Sequence, residues 1–466
     1  MRPLAAADET VWRFSWSPDG KRIAYLASEL PTAEGQEYQS ALYVLDLAGA
    51  RVRRVAAETN PHAAPAFSPD GRSLVFLGPI GRFKERGVVQ VVGLDDGATE
   101  TRLRDDPLNV WDVVWLPTGG LLAGIQRGTR HALAALDGDT APRDLVPLVF
   151  SLTPYWDPSF TASADGRRVA FLSEGEDHLE EVFLADLDGS SRRRLTRFSD
   201  RLTDVALGRV DTVRWSDPAD GSAVEGVLVR PPGAVAARPL PMVTLLHGGP
   251  AYGWGLGAQI RNWAQLLAGQ GYLVFLPNFR GSAGYGMAWM SANVRDWGKG
   301  PLDDVLSGVD HLVRQGEADP RRLFVGGGSY GGYLTAWAVT HTDRFRAAYV
   351  ASGVSSLASE YALTDEPSFL VGYFLATPYD DPEVYTRHAP AAQASGARTP
   401  TLIVHGEKDL RVPVSQAHEL HAALRHRGVS CRLVIYPREG HGVREPAHQL
   451  DYMRRVLEWF RQHDVR

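Results

Sequence analysis

The sequence predicts two domains: a small β-propeller of about four to five blades over residues 1–207, then a parallel sheet covered by helices over residues 208–466. Three observations predict this. A hairpin motif recurs along the first part, the hydrophobic pattern changes near residue 210, and "GGSYGG" at 327–332 sets a serine among four glycines behind the apolar run "RRLFVG".

The repeats are "FSWSPDGKRIAYLAS" at 14–28, "PAFSPDGRSLVFLG" at 65–78, "VVWLPTGGLLAGI" from Val113, and "PSFTASADGRRVAFLSE" ending at Glu174. Each reads as a short apolar strand, a turn and a second alternating strand, which is hairpin chemistry. Three copies continue into a further strand and turn: "ALYVLDLAG", "VVQVVGLDDG" and "EVFLADLDG". Pro18, Pro69 and Pro117 are about 50 residues apart, the period of a four-stranded blade. Four copies in this length make a small ring, or an open one completed by other contacts, and an assembly into homo-oligomers would then restrict access.

Composition agrees with a folded chain of this size. Of 466 residues, 44% are hydrophobic and 22% charged, enough apolar side chain for two large cores. A formal charge of −6 offers no broad basic field for nucleic acid or an anionic membrane. The single cysteine, Cys431, rules out an internal disulfide and a site built on several thiolates. "MRPLAAADETVWRF" lacks the apolar core of a secretion signal, and no uncharged apolar run approaches the roughly 20 residues that span a bilayer. The expectation is a cytoplasmic protein with no nucleic acid or membrane partner.

Beyond residue 210, apolar strand runs alternate with helical stretches, the signature of a parallel sheet. The strands expected are "PMVTLLH", "YLVFLPN", "RLFVGG", "AAYVAS", "TLIVHG" and "CRLVIYP"; the helices between them include "LDDVLSGVDHLVRQ" and "GYLTAWAVTH". "RPPGAVAARPLP" reads as a surface loop between two strands.

Gly327, Gly328, Ser329, Tyr330 and Gly331 fit Gly-x-Ser-x-Gly between a strand and a helix, the turn that makes this an α/β-hydrolase domain. Flanking glycines let strand, helix and substrate approach, and the start of the helix leaves N–H groups unpaired. A serine hydroxyl is a weak nucleophile, so it requires a base and an acid to orient that base, in chain order Ser, Asp/Glu, His. Asp409 in the loop after "TLIVHG" and His441 in the loop after "LVIYP" satisfy that order; Glu407 and His448 compete less well, being nearer the strand and within a helical stretch. The expected oxyanion donors are the backbone N–H groups of Tyr330 and of Gly249 in "LLHGGPAYGWG". His247 is expected to hold that loop. No metal cluster, nucleotide loop or other cofactor motif emerges.

Taken together, "HGGP", "NFRGSAGYG", "GGSYGG", "HGEKDLRVP" and "EGHG", in this order behind a propeller, resemble the prolyl oligopeptidase family of serine peptidases, closest to its acylaminoacyl peptidase-like branch. The resemblance implies Ser329 as nucleophile, Asp409 as orienting acid, His441 as general base, and short peptides as substrates filtered by the propeller. It also places a specificity pocket around Tyr330, "SGVSSLASEY" and Val412, so that Val354 and Leu357 imply an apolar or uncharged residue before the scissile bond. Arg280 and Arg411 are weighed as binders of a peptide carboxylate against structural ion pairs. Glu180 and Glu181 are adjacent on a strand and face opposite ways, so neither is assigned to a substrate amine. The alternatives are a carboxypeptidase-type or dipeptidyl peptidase of the same family, an esterase with the same triad, and a binding protein with a dead hydrolase.

Overall fold

The structure, a computed structural model, describes residues 9–80, 83–103, 108–136, 141–152, 159–175, 178–202, 204–233 and 239–464. The first eight residues and the centre of the "RPPGAVAARPLP" segment lie outside them. The chain divides into one compact unit of Met1–Thr203 with Ala283–Met287 and another of Asp204–Ser282 with Ala288–Arg466.

In the first unit the repeats become sixteen described antiparallel strands of a propeller, hydrogen-bonded as sheets of four, eight and four, with the middle two repeats joined where Gly87 pairs with Val110. They are Thr10–Trp16, Arg22–Ser28, Ala41–Asp46 and Arg51–Ala56; then Ala66–Phe67, Ser73–Ile80, Phe83–Gly93 and Thr99–Arg102. Asn109–Trp115, Leu121–Arg127, Arg130–Leu136 and Arg143–Leu148 follow, and Phe160–Ala162, Arg168–Ser173, Glu181–Asp186 and Arg193–Arg194 complete the set. The "SPDG" motif explains the hairpins. Ser17 Oγ donates to Asp19 Oδ1 at 2.6 Å, Asp19 also accepts from the Lys21 N–H, and Gly20 takes φ +67°. The same wiring joins Ser68, Asp70 and Arg72, and again Ser163, Asp165 and Arg167. In the third copy, "LPTGG", the Ser and Asp are gone, yet the Gly119 N–H still donates to Leu116 O and the hairpin survives on backbone alone.

Blades pack through alternating apolar residues. Leu26, Leu42, Phe67, Leu74 and Phe76 join the first to the second, and Trp111, Leu122, Leu133, Phe160, Val169 and Phe171 the third to the fourth. Burying each such side chain stabilises the unit by about 1.5–3 kcal/mol.

The second unit holds an eight-stranded sheet: β1 (Val210–Ser216), β2 (Ala223–Val229), β3 (Leu240–Leu246), β4 (Leu273–Asn278), β5 (Ala318–Gly328), β6 (Ala347–Ala351), β7 (Thr401–Gly406) and β8 (Cys431–Tyr436). Their order is β1-β2-β4-β3-β5-β6-β7-β8. From β4 to β8 all neighbours are parallel, as the alternating pattern requires, while β1 and β2 add an antiparallel edge. Helices α1 (Ala264–Gly269), α2 (Lys299–Arg314), α3 (Tyr330–His341), α4 (Leu357–Leu363), α5 (Ser415–His426) and α6 (Pro446–His463) lie between or after the strands. In α2, Leu302, Val305, Val309 and Leu312 recur at helical spacing and are buried. Every residue from Tyr330 to Thr340 of α3 is buried, which is why "GYLTAWAVTH" carries no charged face. Cys431 is half-buried.

Candidate active site

The carboxyl ends of parallel strands open onto one edge, where a helix-covered sheet leaves room for a ligand. β5 ends at Gly328, and Ser329 forms the turn into α3 with φ +58° and ψ −124°, a conformation costly for a residue with a side chain. Its N–H donates to Ala351 O at 3.0 Å and its carbonyl accepts from the Tyr333 N–H at 2.9 Å, so neighbouring backbone holds the strained residue in place. The surrounding glycines follow from contact distances. A Cβ on Gly331 would lie 2.1 Å from Leu246 O, and one on Gly332 would lie 2.6 Å from Ala351 O.

The loop after β3 comes up against this serine: a Cβ on Gly248 would stand 3.3 Å from Ser329 Cβ and 3.8 Å from its Oγ. Gly249, next along, takes φ +108°. His247 holds the loop, with Nε2 2.8 Å from Ser282 Oγ and its ring stacked on Phe279 at 4.3 Å. Tyr330 opens α3, so its N–H lies in the first turn, where helical N–H groups have no acceptor within the helix. Its hydroxyl donates to Trp297 O at 2.7 Å.

Asp409 follows β7 and His441 follows β8. His441 Nδ1 is 2.9 Å from Asp409 Oδ2 and 3.1 Å from Oδ1. The Asp409 side chain is fully buried and that of His441 is 34% exposed, so the pair presents only its imidazole outward. Burial by itself would raise the Asp409 pKa. Hydrogen bonds from His405 and His441, the charge of His441 and the Val412 N–H outweigh burial and hold the carboxyl well below the usual carboxylate range. With Nδ1–H donated to Asp409, the neutral His441 ring leaves Nε2 as its proton acceptor. The structure thus joins Asp409 to His441 and sets Ser329 on the same sheet edge, with only β6 between β5 and β7.

The other expected residues have definite places. Glu407 accepts from the Arg438 N–H at 3.0 Å, and His448, within α6, bonds Glu439 at 2.9 Å. Glu439, Glu445 and His448 bring ligand atoms within 4.8 Å of one another. Glu439 already accepts from the N–H groups of Arg444 and Glu445, and Glu445 pairs with Arg438, so the cluster fixes the segment that leads into α6. Val354, Leu357 and Val412 are all buried. Arg280 makes a two-pronged pair with Asp304 at 2.9 and 2.7 Å and reaches Asp220 at 3.1 Å; Arg411 pairs with Asp365 at 2.8 Å and Glu366 at 2.7 Å. Both guanidinium groups therefore serve carboxylates of the fold. In the first unit, Glu181 is likewise engaged, accepting from the Ser199 N–H and pairing with Arg194.

Three residues not singled out from the sequence matter here. His405, buried four positions before Asp409, places Nε2 2.7 Å from Val412 O and 3.3 Å from Asp409 Oδ2. Gln416 accepts from the N–H groups of Ser355 and Ser356 at 2.9 and 2.8 Å, tying the start of α4 to α5. Glu360 is buried on α4 beside Leu357. The spacing of His405 and Asp409 in "VHGEKD" was a visible signal; the other two depend on contacts between distant segments.

Residues 258–464 match the prolyl oligopeptidase family. The chain is 27% identical over 478 residues to dipeptidyl-peptidase 5 of Porphyromonas gingivalis, covering 98% of this chain and 67% of that protein. It is 32% identical over 232 residues to the acylamino-acid-releasing enzyme of Arabidopsis thaliana, covering 48% of this chain and 30% of that protein. A solved Mycobacterium tuberculosis puromycin-hydrolyzing peptidase superposes with a TM-score of 0.77 at 24% identity, over 99% of this chain and 80% of that one, and shares the fold. The chain spans between 30% and 67% of the length of the curated relatives it matches. Sheet, elbow and family match together show that this chain carries a peptidase domain of the prolyl oligopeptidase family.

Proposed function

We propose that this chain is a serine peptidase that hydrolyses short or N-acylated peptides through an acyl-enzyme. Ser329 attacks the scissile carbonyl, His441 Nε2 takes its proton and later gives it to the leaving amine, and Asp409 holds the ring in the required tautomer. The N–H groups of Tyr330 and Gly249 bind the developing oxyanion, each such donor being worth about 3 kcal/mol in the transition state. The observation that carries this reading is the 2.9 Å pairing of His441 with a fully buried Asp409 on the sheet edge that also bears Ser329. Val354, Leu357, Val412 and Tyr330 line the pocket for the residue before the scissile bond. Residues 1–207 are read as the propeller that filters substrates by size, and 208–466 as the catalytic domain.

The near full-length match to dipeptidyl-peptidase 5 favours a second reading, release of dipeptides from a free amino terminus. Products separate the two. Mass spectrometry of digests of free, N-acetylated and C-amidated versions of one peptide gives acyl-residue release in the first case and dipeptides from the free amine in the second. Labelling by a fluorophosphonate, lost in Ser329→Ala, tests the catalytic assignment itself; labelling that survives this substitution would remove it. Turnover of nitrophenyl esters without any peptide cleavage would make the protein an esterase. Neither labelling nor turnover would leave the binding-protein alternative.

A cytoplasmic site of action belongs to this reading, supported by the single cysteine. No described helix is long and apolar enough to cross a membrane. Self-association, which would narrow access to a small propeller, is checked by sedimentation velocity.

A further inference from the structure

Glu360 is the feature that the proposed catalytic roles leave unused. It is 4% exposed, and it and Leu357, three residues apart and thus on one face, are the buried residues of α4. Its Oε2 is buried without a hydrogen-bond partner. The charges acting on it are those of Asp409, Asp365 and Glu419 on one side and Arg411 on the other. Arg411, the one cation of this group, already bonds Asp365 and Glu366. A carboxyl in such a place is costly unless something of opposite charge arrives, because burial disfavours its charge and three neighbouring carboxylates add to that.

The surroundings say where that charge would come from. Asp409 accepts from the Val412 N–H at 2.9 Å, which holds Val412 beside the carboxylate whose charge acts on Glu360. The segment after α4 is tied to this loop, with Thr364 Oγ1 donating to Arg411 O at 2.7 Å and the Asp365 N–H to Leu410 O at 2.9 Å. Glu360 therefore shares the buried face of α4 with Leu357, on a helix whose far end is tied to the loop that carries Asp409 and Val412. We propose that Glu360 is a specificity-determining residue that accepts the cationic end of a lysine or arginine side chain immediately before the scissile bond. This rests on the peptidase reading and replaces the apolar or uncharged preference that Val354 and Leu357 imply by themselves. The methylene stem of such a side chain lies along Val354, Leu357 and Val412, and its charge meets the unpaired oxygen. Burial, then the Asp409 and Asp365 charges, push the Glu360 carboxyl well above its ordinary pKa.

Two aminoalkyl phosphonate diphenyl esters that differ only in a 4-aminobutyl or a butyl side chain test this, with Ser329 modification followed by intact mass. The 4-aminobutyl reagent is expected to react about tenfold faster, and Glu360→Gln to lower the ratio of the two rates about 100-fold. Glu360→Leu, with the same loss, guards against a residual hydrogen bond in the Gln variant. A structural role predicts a lower Tm and equal slowing of both reagents; relief of an unpaired buried carboxyl predicts a Tm at or above the starting protein. Faster reaction of the butyl reagent, or equal slowing of both by Glu360→Gln, overturns the pocket assignment alone. If neither reagent modifies Ser329, the peptidase reading fails and takes this inference with it.

Discussion

His405, on β7, and His441, in the loop after β8, approach the Asp409 carboxylate together: His441 Nδ1 lies 2.9 Å from Oδ2, and His405 Nε2 lies 3.3 Å from the same oxygen. One imidazole is 34% exposed and the other fully buried, so the same carboxylate has a partner facing the reaction and a partner facing the core.

Asp409→Asn keeps the shape of the side chain and removes the charge that selects the His441 tautomer. Peptide or ester turnover is expected to fall by about 10⁴ in kcat with little change in KM. Steady-state kinetics on the purified variant checks this, and a loss confined to KM would contradict the orienting role.

His405 acts through Asp409 and the Val412 carbonyl, not on substrate. His405→Ala removes the hydrogen bond at Val412 O, and a loss of about tenfold in kcat is expected, from roughly 1–2 kcal/mol of misplaced loop. His405→Gln carries an N–H at a position close to Nε2, so it should recover most of the rate. Equal kcat in the Ala and Gln variants would assign His405 to packing alone.

At the elbow, neighbouring glycines should respond differently to one added methyl group. Gly331→Ala places Cβ 2.1 Å from Leu246 O, whereas Gly328→Ala meets only Ala351 O at 3.8 Å. The first substitution is expected to cost about 3 kcal/mol or to prevent folding, the second less than about 1 kcal/mol. Urea unfolding of both variants decides it.

In the first unit, His131 is buried between the rings of Trp111 and Phe150, and neither of its nitrogens has a partner. Burial lowers its pKa from 6.5 to about 3. Below pH 6.5 the unfolded chain takes up a proton that the folded one refuses, so the stability it contributes is complete above pH 6.5 and lost as pH falls toward 3. Asp112, raised by burial to about 6, has the opposite sign, losing stability as pH climbs from 3.8 to 6. The two slopes offset each other in the intact protein. His131→Phe removes one of them, and relative to the starting protein it should gain about 2 kcal/mol between pH 8 and pH 5. Denaturant unfolding at the two pH values measures the difference, and a constant difference would refute the buried neutral histidine.

Much of the architecture was legible in the sequence, because it is written in short-range patterns. The "SPDG" copies carry their own side-chain wiring, so three hairpins could be located from four residues each, and "LPTGG" from its glycines. The six strand runs of the sheet were read from apolar stretches that only a buried parallel strand tolerates. The two antiparallel strands on one side of the sheet, Val210–Ser216 and Ala223–Val229, were not singled out, since "VDTVRWS" and "AVEGVLV" give short mixed patterns.

The sequence alone therefore determined the blades, the elbow at Ser329, and the order of serine, acid and histidine, because each depends on residues within one turn or one strand end. Tertiary structure decided which charges meet. It gave Arg280 to Asp304 and Arg411 to Asp365 and Glu366, carboxylates between 24 and 46 residues away. It also set His405 against Asp409 and left the Glu360 Oε2 buried without a hydrogen-bond partner. Coulomb and hydrogen-bond energies follow distance in space, and the distance between α4 and the loop after β7 is fixed only when the sheet between them has formed.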